Sequence, residues 1–89
     1  MRGIELANTR LVEAYILVTV ELGKEYEVAE SLMEKPYIRE VAILYGIYDL
    51  LVRIEASSLP ELDKLISELR KDKRIRQTVT LIAANILSK

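Results

Sequence analysis

A chain of 89 residues is enough for one small domain, and 51% of it is hydrophobic, a high share for a size at which an isolated fold is marginal. Thirteen basic residues stand against 14 acidic ones, so a net charge of −1 gives no bulk attraction to nucleic acid or to an anionic membrane. Cys and His are both absent, which excludes disulfides, thiolate or imidazole metal ligation, and Ser-His or Cys-His nucleophiles.

The apolar runs are of strand length and none spans a membrane. Arg2, Glu5 and Arg10 interrupt the start of the chain, which therefore does not read as a signal peptide. A cytoplasmic protein without metal or cofactor is expected. Residues 1–12 read as a terminal extension, 13–84 as the folded domain and 85–89 as a short tail.

Residues 14–21 alternate and are rich in β-branched side chains, which predicts strand β1. Ala14, Ile16, Val18 and Val20 form its apolar face; Tyr15, Leu17, Thr19 and Glu21 form a mixed one. Gly23 marks a break. Helix α1 is predicted over 24–35, with Val28, Ala29, Leu32 and Met33 on one side, and Pro36 stops it. Strand β2 follows over 38–45, then a Gly46-Ile47 reversal, then β3 over 48–56 with Leu50, Val52 and Ile54 facing one way. Ser58-Leu59-Pro60-Glu61 has capping-box spacing, with Pro60 tolerated in the first turn. Helix α2 runs from there to about Lys71, with Leu62, Leu65, Ile66 and Leu69 as its buried stripe. Strand β4 covers 77–84, with Val79, Leu81 and Ala83 on one face and Thr78, Thr80 and Ile82 on the other.

The order β1-α1-β2-β3-α2-β4 contains an internal βαβ echo, since the strand at Tyr15–Leu17 reappears at Tyr48–Leu51. Two βαβ units sharing one antiparallel sheet give an α+β ferredoxin-like sandwich, with four strands and both helices on one face. The wholly apolar sets of β1, β3 and β4 are expected under the helices. The open face is then expected to carry Tyr15, Leu17, Thr19, Leu51, Arg53, Thr78, Thr80 and Ile82. That set is too apolar for a solvated sheet and suits sheet-to-sheet pairing in a homodimer, with Tyr15, Leu17, Thr19, Leu51, Arg53 and Ile82 at the interface.

Chemistry concentrates at Gly46-Ile47-Tyr48-Asp49. In the plain reading Gly46 eases the hairpin and Asp49 bonds nearby amides. In the functional one the turn N–H groups meet a ligand carboxylate and Asp49 meets an ammonium, which together suit a free amino acid. Thr78 and Thr80 offer two hydroxyls on one face of β4, either as pocket groups or as ordinary strand residues. The basic run Arg70 to Arg76 has no interleaved aromatics and no preceding helix-turn-helix. It reads as a solvated helix end, and direct nucleic-acid binding is not expected.

Taken together, Ala14–Val20, Val28–Leu32, Val41 through Gly46-x-Tyr48-Asp49 into Leu50–Glu55, and Thr78-Val-Thr80-Leu-Ile resemble the RAM domain, the effector-binding half of Lrp/AsnC (feast/famine) transcription regulators. The resemblance covers about Glu13 to Ile82. It implies dimers that pair through their sheets and assemble further, commonly into octamer rings. It also implies that small effectors, usually amino acids, bind between dimers near Gly46, Tyr48, Asp49, Thr78 and Thr80. Full-length members carry an N-terminal helix-turn-helix, which twelve residues cannot form, so the chain resembles a stand-alone RAM protein or a truncated one. The Lys73-Arg74-Ile75 turn departs from the Gly-Val that many relatives show.

The expected function is thus a homodimeric effector-binding module acting on transcription indirectly, either by co-assembly with full-length Lrp/AsnC regulators or as a metabolite sensor or sink. Two alternatives remain beside it. One is a cofactor-free enzyme of the dimeric αβ-barrel type, which needs a polar acid/base pocket inside each subunit; the other is a ligand-free oligomerisation module. No catalytic residue is assigned.

Overall fold

A computed structural model describes residues 11–89, so the extension expected over 1–12 lies almost wholly outside the described residues. The elements follow in the order β1 Val12–Val20, α1 Glu25–Met33, β2 Ile38–Ile43, β3 Leu50–Ala56, α2 Leu59–Leu69 and β4 Ile75–Ile82. The strands form one antiparallel sheet ordered β2-β3-β1-β4. This is the ferredoxin-like βαββαβ arrangement. Some boundaries differ from the expected ones. β1 and β4 each begin two residues earlier, Leu44 and Tyr45 leave β2, and Tyr48 and Asp49 lie before β3.

The core forms where the alternating face of β1 meets that of β3. Ala14, Ile16 and Val18 are fully buried beside Leu50, Val52 and Ile54, and Val28, Leu32, Leu62 and Leu69 of the helices close over them. Each such side chain gains about 1.5–3 kcal/mol from leaving water. Met33, expected in the α1 stripe, is instead half exposed, because a nine-residue helix ends there and directs only Val28, Ala29 and Leu32 inward.

The faces of β4 are the reverse of those expected. Thr78 lies opposite Val18, Thr80 opposite Ile16 and Ile82 opposite Ala14. Directly opposed residues share a face, so Thr78, Thr80 and Ile82 stand on the helix side. Ile82 is therefore not part of the open face, whereas Val79, opposite Leu17, and Leu81, opposite Tyr15, are. The physical reason is position: β4 is an edge strand, its outer side is sparsely covered by α2, and hydroxyl-bearing side chains are tolerated there. The open face consequently has an unbroken apolar row, Ala42–Leu51–Leu17–Val79, running across all four strands.

The neighbouring row is Glu40–Arg53–Tyr15–Leu81. Arg53 contacts Glu13 at 3.1 Å, Glu40 at 3.4 Å and Glu55 at 3.8 Å, and Arg39 holds Glu55 at 2.9 Å. The hydrogen bond to Glu13 leads the effects that raise the Arg53 pKa. Two arginines are thus paired with three glutamates within the protomer.

Ser58 caps α2 by accepting from the Glu61 N–H at 3.2 Å, as the capping spacing predicts. Glu61 reaches back one residue further than expected, however, accepting from the N–H and hydroxyl of Ser57. At the other end of α2, the Asp72 carboxylate takes the Arg74 N–H and Nε at 2.9 Å each and Nη2 at 2.6 Å, while Arg74 Nη1 reaches Glu27 of α1 at 3.1 Å.

Two outcomes test this architecture. Leu50→Ala removes a fully buried side chain and lowers unfolding free energy by about 2–5 kcal/mol in urea titration, whereas Thr80→Ala at the exposed edge costs under about 1 kcal/mol. Hydrogen bonds from Arg74 hold the Asp72 pKa below its ordinary 3.8. Its contribution is thus full above the unfolded pKa and is lost as pH falls through the lower, folded one. Asp72→Asn lowers the melting temperature at neutral pH and shrinks the wild-type drop between pH 5 and pH 2.

Candidate functional site

The hairpin between β2 and β3 is closed by the Leu44 N–H donating to the Asp49 carbonyl at 2.9 Å. The Asp49 N–H donates in turn to the Val18 carbonyl at 2.9 Å, and the Val20 N–H donates to Asp49 Oδ2 at 2.8 Å. The cause is a mismatch of strand ends. β3 starts at Leu50, opposite Val18, while β1 continues to Val20 and leaves an N–H without a β3 carbonyl. A carboxylate fills that place with a charge-assisted hydrogen bond. Asp49 therefore has the structural role of the plain reading, and it does so with one oxygen only. Among the described residues Oδ1 has no hydrogen-bond partner.

Gly46 sits at φ +147, a region where side chains are strained, although a Cβ there would touch nothing within 4 Å. The N–H groups of Gly46, Ile47 and Tyr48 make no backbone hydrogen bond among the described residues. The turn is ringed by exposed apolar side chains: Tyr45 is wholly exposed, Ile47 is 88% and Leu22 95% exposed, and Tyr48 is half-buried. Leu22 belongs to the same end of the sheet because it lies two residues beyond the end of β1. Nothing in the alternation of β2 and β3 announces this rim, since Leu22, Tyr45 and Ile47 all lie outside the strands.

Thr78 and Thr80 lie elsewhere. Thr78 stands two strand spacings from Leu50, about 10 Å, and Thr80 is further along β4; both side chains are on the helix side. A single protomer therefore gathers Gly46, Tyr48 and Asp49 and leaves the threonines in a different surface. The residues that sequence reasoning missed at this end are Asp72, Arg74 and Glu27, which tie the turn before β4 to α1. The Asp-x-Arg spacing is their only signal in the sequence. Among the described residues no group of three or more acidic side chains is placed to hold a metal, and no helix is long and apolar enough to cross a membrane.

The family model of the Lrp/AsnC ligand binding domain matches residues 13–89. The chain belongs to the Lrp/AsnC family. Among curated relatives of this Lrp/AsnC domain, the HTH-type transcriptional regulator FL11 of Pyrococcus furiosus is 33% identical over 73 residues, 82% of this chain and 48% of that protein. The chain thus spans about half the length, or less, of the curated relatives it matches. The crystal structure of hypothetical protein PHS023 from Pyrococcus horikoshii superposes with a TM-score of 0.78 at 44% identity, covering 86% of this chain and 92% of that one. A feast or famine regulatory protein from M. tuberculosis complexed with L-methionine has a TM-score of 0.78 at 18% identity, covering 100% of this chain and 60% of that one, and shares the fold.

The geometry of the Lrp/AsnC turn predicts a graded mutational series. Asp49→Asn keeps an acceptor for the Val20 N–H and retains the wild-type melting temperature within a few degrees. Asp49→Ala leaves that N–H without its partner and costs about 1–3 kcal/mol. Gly46→Ala costs about 1–3 kcal/mol from backbone strain alone. Thermal and urea unfolding of the three variants measures the order.

Proposed function

We propose that this Lrp/AsnC ligand-binding domain senses a free amino acid at the Gly46–Asp49 turn, in a crevice created when sheet-paired dimers associate. The observation that carries the reading is the turn itself: a loop anchored at Leu44 and Asp49, with an uncommitted carboxylate oxygen and three uncommitted N–H groups, ringed by exposed apolar side chains. The N–H groups suit an α-carboxylate and Asp49 Oδ1 suits an α-ammonium. Exposed Tyr45, Ile47 and Leu22 provide an apolar rim for a second dimer to cover. The methionine carried by the M. tuberculosis protein supports an amino acid as the ligand class.

Pairing comes first, through the open face. The row Ala42–Leu51–Leu17–Val79 forms its apolar centre, with Tyr15, Thr19 and Arg53 beside it, and each of the glutamates around Arg53 has a guanidinium partner within the protomer. Residues 13–84 constitute the module, 1–12 an extension and 85–89 a tail, in a cytoplasmic setting. Thr78 and Thr80 join the effector site only if a neighbouring dimer brings its β4 edge to the turn. The domain acts on transcription by associating with full-length, DNA-reading relatives through the same sheet face, and larger rings arise by dimer association. Ligand changes assembly to the extent that it binds one association state better than another.

The test is calorimetric titration of the folded oligomer with each of the twenty amino acids, repeated with Asp49→Asn. At least one amino acid gives saturable heat, and the variant weakens it about tenfold or more, the scale of a charge-assisted hydrogen bond. Absence of heat for every amino acid refutes the reading. Leu17→Glu places a charge in the central apolar row, and a shift to monomer in analytical ultracentrifugation is expected. A persisting dimer overturns the sheet-paired arrangement.

A further inference from the structure

On the helix side, α2 and the edge strand β4 leave a groove that the Gly46–Asp49 turn does not enter. It consists of two hollows that share Arg70. One, of about 450 Å³, is lined by Leu59, Leu62, Asp63, Ile66, Arg70, Thr80 and Ile82. The other, of about 230 Å³, is lined by Arg70, Ile75, Arg76, Gln77 and Thr78. The larger hollow is in the size range of small-molecule sites. Leu59, Asp63, Ile66 and Arg70 follow one another at three- and four-residue steps, so one stripe of α2 runs from apolar to cationic along the groove.

The charges point to an occupant. Among the described residues Arg39, Arg53 and Arg74 are each paired with carboxylates, whereas Arg70 and Arg76 have no acidic partner within 4 Å. Two arginines without an acidic partner therefore line one end of the groove. Leu59 and Ile82, each about half exposed, lie toward the other, where Asp63 is the one acidic lining residue. Guanidinium forks match carboxylates in geometry as well as charge. An α-ammonium beside that carboxylate would place a cation against the same guanidiniums, so the pair disfavours α-amino acids.

We propose that the α2–β4 groove is a second ligand site, taking a small carboxylate with an apolar tail and no α-amino group. Its charge is held by Arg70 and Arg76, and its tail lies along Leu59, Ile66 and Ile82. The Thr80 hydroxyl lies between the two ends. The larger hollow is on the helix side, so pairing through the open sheet face leaves it accessible, while the smaller one wraps the β4 edge, where Gln77 stands opposite Thr19. The proposal does not depend on the amino-acid reading of the turn.

The test compares 4-methylpentanoate, leucine, 4-methyl-1-pentanol and inorganic phosphate by amide chemical-shift titration of the whole chain. 4-Methylpentanoate shifts Thr78, Thr80, Ile82, Ile66 and Leu59 saturably, and the other probes bind there at least about tenfold more weakly. The double variant R70Q/R76Q, at two exposed positions, keeps its thermal unfolding curve and loses about tenfold or more in affinity, while R70K/R76K restores part of it. Asp49→Asn leaves 4-methylpentanoate binding unchanged. The proposal is overturned by no saturable shift with 4-methylpentanoate, by equal binding of the alcohol, leucine or phosphate, by unchanged affinity in R70Q/R76Q, or by loss of binding in Asp49→Asn.

Discussion

The register of β4 against β1 is the constraint on which the rest of this domain depends. With Ile16 between Val52 and Thr80, the pairings from Ala14↔Ile82 to Thr19↔Gln77 follow, up to the register shift between Thr19 and Val20, and a shift of one residue would exchange the faces of that stretch of the edge strand. One consequence is a core that needs apolar groups mainly from β1, β3 and the helices. Another is that Val79 and Leu81 are carried to the opposite face, where they extend an apolar row from edge to edge. The sheet therefore has an apolar centre on both sides, although only one side has helices to cover it. A domain of this size gains little margin from its own core, which is the physical ground for the proposal that the second face is buried against another sheet.

Polar groups in this protein mostly hold chain ends in place. Asp49 supplies an acceptor where β3 stops short of β1, and Asp72 with Arg74 fastens the turn before β4 to Glu27 of α1. These ties sit at the end of the sheet from which the Gly46–Asp49 turn projects, and those of Asp49 anchor one end of it. Anchored chain ends leave less entropy to lose when a ligand orders a loop. The same economy is visible on the open face, where Arg53 is shared among three glutamates and presents no unpaired charge to a partner.

The arginines divide into those paired within the fold and those without a carboxylate partner among the described residues. Arg39, Arg53 and Arg74 are used within the fold, and Arg70 and Arg76 are not. In the sequence all of the last three belong to one basic run and look alike. Only the path of the chain out of α2 turns Arg74 back toward α1 and leaves its neighbours over a groove.

Much of the architecture was legible because it rests on local periodicity. Strict alternation in 14–20 and 50–56 gave the two central strands and their buried faces, Ser58-Leu59-Pro60-Glu61 located the start of α2, and Gly46-x-Tyr48-Asp49 marked the hairpin. The faces of β4 were not legible, since Thr and Val alternate in Thr78-Val-Thr80-Leu-Ile without saying which set meets the helices. That choice is made by hydrogen-bond pairing with β1, a long-range contact no short window contains. For the candidate site, sequence located the turn and its chemically distinctive residues. Tertiary structure decided that Asp49 spends one oxygen on Val20 and that Thr78 and Thr80 stand across the sheet from it. The physical reason is that side-chain identity is a local property, whereas which groups are already satisfied depends on where strands end relative to one another.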